Sequence, residues 1–309
     1  MEQLSPLASV SATRAVLEAH GLSTKYSLGQ NFLINDAILH KIVELADLSP
    51  ADDVLEVGPG IGTLTVALLK RAGRVASVEC DADLPPVLTQ TLAPWADRFT
   101  LVEKDALDLR PADLPFAPTK LVANLPYAVA ATVVLDYFER FPGMESATVM
   151  VQKEVADRMA AEPGSKNYGA YTVKLRLHAR PADRFPVGPG NFFPPPRVES
   201  AVLRLDRRPV CDDAGAPLDA TALEAARVMA DAAFATRRKT LANSCKTYFA
   251  GRGPQGARIA AALPRIFERA AIDPKRRGET LSLAEFVRLG QALRAEGGVE
   301  ADLGAVSAR

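Results

Sequence analysis

The feature that most constrains this chain is a rhythm that begins at Asp53, where short apolar runs of strand length alternate with longer stretches of helical periodicity. That is the pattern of successive βαβ units around a parallel sheet. Residues 54–57, 74–79, 99–102, 120–123 and 147–152 each read as a strand ended by polar or turn residues, and residues 63–71 as the helix after the first strand. Residues 153–159 and 171–178 read as helices, and a proline-rich loop over 186–196 feeds residues 200–206, which alternate as a strand does. After Pro209 the character changes. Residues 209–218 read as a polar linker and residues 219–296 as a separate helical domain, with Leu223, Ala226, Met229, Ala230 and Ala233 at helical spacing. Residues 297–309 read as a flexible tail, and residues 1–24 as an extension ahead of the α/β domain at 25–208.

Composition narrows the functions open to such a fold. With 309 residues, 48% hydrophobic and 24% charged, the chain suits a globular domain plus a smaller one. No run approaches the about 20 apolar residues of a membrane span, so a soluble, unexported protein is expected. Cys80, Cys211 and Cys245, like His20, His40 and His178, stand too far apart for a metal-ligand pattern. Reduced structural cysteines and no metal are expected. The 37 basic and 37 acidic residues cancel, so only local clusters such as Arg204–Arg207–Arg208, Arg237–Arg238–Lys239 and Lys275–Arg276–Arg277 can hint at an anionic partner.

Between the first strand and its helix lies Glu56-Val57-Gly58-Pro59-Gly60-Ile61-Gly62. Glycines there let the backbone turn tightly and approach a ligand with no Cβ in the way, at the strand end where open α/β sheets bind ligands. Glu79 ends the second strand, placed to accept hydrogen bonds from both hydroxyls of a ribose. Asp105 follows the third strand, placed to take the amino group of an adenine ring. Hydrogen bonds to a charged group are worth roughly 1.5–3 kcal/mol each, so the pair would hold a nucleoside firmly. A nicotinamide enzyme would use the same geometry.

Asn124-Leu125-Pro126-Tyr127, directly after the fourth strand, separates the two. An ordinary turn could have this composition. A sharper reading is methyl transfer to the exocyclic amine of adenine, a poor nucleophile whose lone pair is delocalised into the ring. Two acceptors would turn that lone pair outward: the Asn124 side-chain carbonyl and the Leu125 backbone carbonyl, on a loop that Pro126 stiffens. Tyr127 would stack on the base, repaying part of the few kcal/mol that flipping a base costs. Phe192, ahead of three consecutive prolines, would supply the other face, while neighbouring Phe193 is expected in the core.

Taken with these residues, the chain resembles the ribosomal RNA adenine dimethyltransferase family over residues 25–293. The resemblance rests on Leu28-Gly29-Gln30-Asn31-Phe32-Leu33, Glu56 to Gly62, Glu79, Asp105, Asn124 to Tyr127, and Gln152 to Ala156 with Arg158. It continues through Phe192 to Ser200, Arg237 to Leu241 with Asn243, and Arg277 to Leu281. It implies a Rossmann-like methyltransferase domain followed by a small all-helical RNA-binding domain. It implies S-adenosylmethionine held by Asn31, Leu33, Gly58, Glu79, Asp105 and Asn124, and a target base held by Asn124, Leu125, Pro126, Tyr127 and Phe192. The activity implied is dimethylation of two adjacent adenines near the 3′ end of small-subunit rRNA during ribosome assembly, by a cytoplasmic monomer. Tyr26 stands where relatives usually carry a basic residue, which weakens an N-terminal RNA contact. Pro85 and Pro86 stand where a helix normally continues, so a locally broken helix is expected. A related enzyme that methylates one adenine of large-subunit rRNA is the nearest rival, and an assembly factor with incidental methylation is a second. Residues 234–241 read as a helix, and their Arg237, Arg238 and Lys239 are the expected RNA contacts, unless part of the cluster ties the two domains together.

Overall fold

A computed structural model of the chain describes residues 2–25 and 29–297. Tyr26 and Leu28, together with all but the first residue of the tail at 297–309, lie outside the described residues. The chain divides into two compact units, Met1–Ala156 with Pro181–Arg207, and Asp157–Arg180 with Arg208–Arg309.

The first unit is built on a seven-stranded sheet. Its strands are β2 (Asp53–Val57), β3 (Arg74–Glu79), β4 (Phe99–Glu103), β5 (Lys120–Asn124), β6 (Ser146–Gln152), β7 (Ala179–Val187) and β9 (Ser200–Arg207), in the order β4-β3-β2-β5-β6-β9-β7. β2 pairs in parallel with β3 and β5, so the strand order reverses at β2 and leaves a crevice beyond its carboxyl end. Such central strands are covered on both faces, which is why Val54, Leu55, Glu56 and Val57 are all buried. The helix after β2, α3 (Thr63–Leu69), is buried at every position. α5 (Ala130–Arg140) connects β5 to β6, and α6 (Lys153–Met159) follows β6 directly.

Beyond β6 the sheet turns antiparallel, with β6 paired to β9 along its whole length from Ser146↔Asp206 to Gln152↔Ser200. The edge strand β7 gave no strand signal because it carries Pro181 and Pro186, which an edge tolerates and a central strand does not. A separate two-stranded ladder joins β1 (Phe32–Leu33) to β8 (Phe192–Phe193), pairing Phe32 with Phe193 and Leu33 with Phe192.

The N-terminal segment is part of this unit rather than an appendage. Ser9 caps α1 (Val10–Ala19), and Leu4, Leu7, Ala8 and Leu17 are buried in the unit's core. The Leu4 and Ser5 amides donate to the carboxylate of Asp36, which opens α2 (Asp36–Ala46). Pro85 and Pro86 do not break a helix. They begin α4 (Pro85–Thr91), where first-turn positions need no amide donor.

In the second unit, α8 (Ala220–Phe234), α9 (Leu241–Ala250), α10 (Gly253–Arg269) and α11 (Leu283–Ala295) share one core with residues that sequence analysis placed in the α/β domain. Tyr168 and Val173, the latter on α7 (Ala170–Arg176), belong to that core. The Tyr168 hydroxyl donates to the Leu281 carbonyl at 2.9 Å, and Lys174 pairs with Asp231 at 3.0 Å. α11 lies close against α8 because Gly290 carries no Cβ, which would stand 2.5 Å from the Ala226 nitrogen. The expected linker is ordered: Cys211 bridges to Pro217, and Val210 and Leu218 pack with Leu177 and Val287.

Residues 234–241 are not one helix. α8 stops at Phe234 and residues 235–238 form a turn, because the Ser244 hydroxyl takes the Thr236 amide while donating to the Ala232 carbonyl. Thr240 then caps α9. No helix among the described residues is long and apolar enough to cross a membrane.

Candidate active site

A cavity opens at the carboxyl ends of β2, β3 and β5, walled by the glycine turn, by Glu79 and Cys80, by residues 124–127 and by residues 29–33. The turn needs its glycines. Gly58 and Gly60 adopt φ of +69° and +59°, in the left-handed region, and a Cβ on Gly60 would stand 3.0 Å from the Phe32 ring. The Gly58 amide donates to the Val78 carbonyl at 2.9 Å, fastening the turn to the end of β3.

Glu79 is buried at that strand end. Its Oε1 accepts the Cys80 and Asp81 amides, both at 2.9 Å. Burial raises its carboxyl above the usual range, against the lowering effect of the Asp81, Cys80 and Gly60 amides. Those amides preorganise one edge of a carboxylate that also lines the cavity.

Glu56, below the turn, has a stronger shift. Burial pushes its carboxyl up to about 7, with Glu79 adding repulsion, while the Ser77 and Thr65 hydroxyls oppose the rise by donating to Oε2 at 2.6 and 2.7 Å. Cys80 is no activated nucleophile: burial, then the Glu79 and Asp105 charges, raise its thiol and keep it protonated near neutrality.

The acceptor loop leaves β5 at Asn124. The Asn124 side-chain nitrogen donates to the Asn31 carbonyl at 3.2 Å. A carbonyl can only accept, so this bond fixes which way the amide faces and turns its own Oδ1 away from Asn31. The Leu125 amide donates to the Met150 carbonyl at 3.1 Å, and the Val129 and Ala130 amides cap the Pro126 carbonyl, so both ends of the loop are held. Tyr127 is half-buried, and its hydroxyl shares a 2.6 Å hydrogen bond with Ser200, the buried first residue of β9. Burial raises its phenol further, so the ring is neutral.

Of the residues singled out from sequence, Asn31, Leu33, Gly58, Glu79, Asn124, Leu125, Pro126 and Tyr127 line this one cavity. Asp105 and Phe192 are not among its walls. Asp105 is exposed and caps the turn after β4, accepting the Leu107 amide at 2.9 Å. Phe192, expected against the target base, is 2% exposed in the core, whereas Phe193 is half-buried against the same core with the Arg14 guanidinium 5.0 Å from its ring centre. Successive side chains of β8 point to opposite faces, which separates the two although their partners, Leu33 and Phe32, are both buried.

In the second unit, Arg238 and Lys239 are exposed. Arg237 is engaged within its own unit, with Nε 3.0 Å from Glu279 and a terminal nitrogen 2.7 Å from the Lys166 carbonyl. Sequence reasoning assigned no role to Glu56, Gln30, Asp81 or Ser200. The placement of Glu56 two residues before the first glycine was the available signal for the first of them.

A sheet of this order, with a glycine turn after β2, a buried carboxylate ending β3 and Asn-Leu-Pro-Tyr after β5, defines a Rossmann-like methyltransferase. Among solved structures, a dimethyladenosine transferase from Plasmodium falciparum has the same fold, with a TM-score of 0.72 and 23% identity over 86% of this chain and 98% of that one. The 23S rRNA methyltransferase ErmE superposes with a TM-score of 0.62 and 26% identity over 85% of this chain and 100% of its own. Ribosomal RNA small subunit methyltransferase A of Mycobacterium tuberculosis is 45% identical over 276 residues, 88% of this chain and 83% of that protein. The protein of the same name from Geobacillus kaustophilus is 40% identical over 301 residues, 93% and 97% of the two chains. Residues 21–288 match the pattern of the ribosomal RNA adenine dimethylase family. The chain belongs to that family, and its enzyme class is rRNA adenine dimethyltransferase.

Proposed function

We propose that the chain transfers methyl groups from S-adenosylmethionine to the exocyclic amines of two adjacent adenines near the 3′ end of small-subunit rRNA. It does so during ribosome assembly, as a cytoplasmic monomer that needs no metal. The observation that carries the reading is the bond from Asn124 to the Asn31 carbonyl, which fixes the amide in the orientation an acceptor of an amine proton requires.

The cavity fits the cofactor. Gly58 and Gly60 leave two positions of the turn without side chains, Glu79 supplies a carboxylate for ribose hydroxyls, and Asn31 and Leu33 form the facing wall. When bound, the cofactor supplies an electrophilic methyl group on a positively charged sulfur. The protein's own residues prepare the amine. Asn124 Oδ1 and the Leu125 carbonyl accept hydrogen bonds from its two N–H groups, which turns the lone pair out of conjugation. Tyr127, tethered by Ser200, offers a neutral face to the base. Asp105 remains the proposed partner of the cofactor's adenine amino group, and Phe192 the proposed floor beneath the target base. Arg237, Arg238 and Lys239 remain the proposed RNA contacts. Selection of the small subunit is supported by relatives named for that subunit at 40–45% identity.

The deciding experiment incubates the protein with labelled cofactor and either unmethylated small subunits or large-subunit rRNA, and maps products by mass spectrometry. Dimethyladenosine at two neighbouring positions of small-subunit rRNA is the expected result. Modification of a single large-subunit adenine would replace this reading with the rival one.

A further inference from the structure

Asp81 stands between two walls of the cavity, and its carboxylate has no part in the roles assigned so far. Its side chain is 4% exposed and accepts from three donors: Lys25 Nζ at 2.5 Å and the Asp83 amide at 3.1 Å on Oδ1, and Gln30 Nε2 at 2.7 Å on Oδ2. Gln30 Oε1 in turn accepts the Lys25 amide at 2.9 Å, so residues 25 and 30 are both fastened to one carboxylate. On the other side, the Asp81 amide is one of the two that hold Glu79 Oε1. A buried charge is costly, and an apolar residue would fill the space without that cost unless the bonds themselves are needed. Burial alone would raise the Asp81 carboxyl, yet the Lys25, Asp83 and Gln30 donors overcome it and hold it below its usual range.

We propose that Asp81 is a positioning residue for methyl transfer, anchoring the Gln30–Asn31 wall to the Glu79 wall so that both ends of the cavity are set from one carboxylate. Gln30 precedes Asn31, whose carbonyl fixes the Asn124 amide, so the anchor reaches the acceptor loop through one peptide and one hydrogen bond. Glu79, at the other end, is reached through the Asp81 amide. The inference rests on the cofactor and acceptor assignments above.

The test compares the wild type with Asp81→Asn, Lys25→Met and the double variant. Three quantities are read: affinity for S-adenosylhomocysteine by calorimetry, thermal midpoint, and kcat and KM on unmethylated small subunits at saturating cofactor. Asp81→Asn is expected to weaken the ligand about tenfold and to lower kcat about tenfold, with KM for the particle unchanged. Lys25→Met, which also removes the exposed Lys25–Asp83 ion pair, loses less, and the double variant is no worse than Asp81→Asn, because the link through Asp81 is already severed. A lower midpoint with unchanged affinity and kcat would make Asp81 a stability residue and end the proposal, as would losses that multiply in the double variant. If Asp81→Asn does not fold, Lys25→Met alone decides: unchanged affinity and kcat overturn the anchor. A wild type that binds no S-adenosylhomocysteine would instead overturn the proposed function, whereas wild-type binding with unaffected variants removes only this inference.

Discussion

The Tyr127 hydroxyl and the Ser200 hydroxyl lie 2.6 Å apart, joining the acceptor loop after β5 to the first residue of the antiparallel strand β9. The ring is therefore held at its far end as well as through its backbone. If stacking is its main contribution, Tyr127→Phe should keep most activity and lose only the tether, about 0.5–1.5 kcal/mol or up to tenfold in rate. Ser200→Ala should match it. Tyr127→Ala forfeits the aromatic face, worth roughly 1–3 kcal/mol, and should cost markedly more. Single-turnover methylation of small subunits reads all three. Equal losses in Tyr127→Phe and Tyr127→Ala would move the function of the residue from ring to hydroxyl.

Glu79→Ala and Asn124→Ala should fail differently, although both residues line the same cavity. Glu79 is assigned to the cofactor ribose, where hydrogen bonds to a charged acceptor contribute on the order of 2 kcal/mol, so calorimetric affinity should fall about thirtyfold. Asn124 acts mainly on the acceptor amine, so its alanine variant should bind cofactor nearly normally while kcat collapses. Unchanged cofactor affinity in Glu79→Ala would remove that residue from the site.

The pH dependence of stability should carry the signature of Glu56. Its folded carboxyl is raised to about 7 from an ordinary 4.5, so the folded state holds a proton that the unfolded chain has already released. Stability from this group is thus fully present below about 4.5 and is lost as pH rises through 7, by on the order of 3 kcal/mol. Glu56→Gln mimics the neutral acid and keeps an oxygen for the Ser77 and Thr65 donors. Its advantage over wild type in denaturant unfolding should be small at pH 5 and grow toward pH 8. A constant difference across that range would show that Glu56 does not titrate there.

The central strands were legible because a parallel strand buried on both faces must be written as a continuous apolar run, as in Val54-Leu55 or Val122-Ala123. The glycine turn, Glu79 and Asn124 to Tyr127 were legible because their chemistry constrains residue type at a strand end. What escaped was decided by long-range contacts. Tyr168 joins the helical unit through a hydrogen bond to residue 281, which no local pattern announces. β7 is an edge, where prolines disguise a strand. Pro85 and Pro86 looked like breakers because their meaning depends on whether they begin or interrupt a helix. Phe192 and Phe193 alternate across a two-residue strand, so they face opposite sides, and nothing local to the sequence says which side is the deeper one.

The last prediction separates Arg237 from its neighbours, which in sequence form one basic run. Arg237 bonds Glu279 and the Ser165 and Lys166 carbonyls within its own unit, so part of its donor capacity is spent on structure. Arg238 and Lys239 are exposed on the turn between α8 and α9. The Arg237–Glu279 pair is partly exposed and contributes at most about 1 kcal/mol as an ion pair, with the carbonyl bonds adding a similar amount. Arg237→Ala should therefore lower the thermal midpoint by a few degrees while altering RNA affinity less than its neighbours do. Arg238→Glu and Lys239→Glu should leave the midpoint and cofactor binding unchanged but weaken binding to the ribosomal particle. For every phosphate that is no longer neutralised, the slope of log affinity against log salt should fall by about 0.7–0.9. The measurement is a salt titration of particle binding for each single variant beside its melting curve. Unaltered salt slopes in both glutamate variants would exclude this turn as a phosphate-binding surface, and an Arg237→Ala protein with wild-type melting would exclude the structural role given to that arginine.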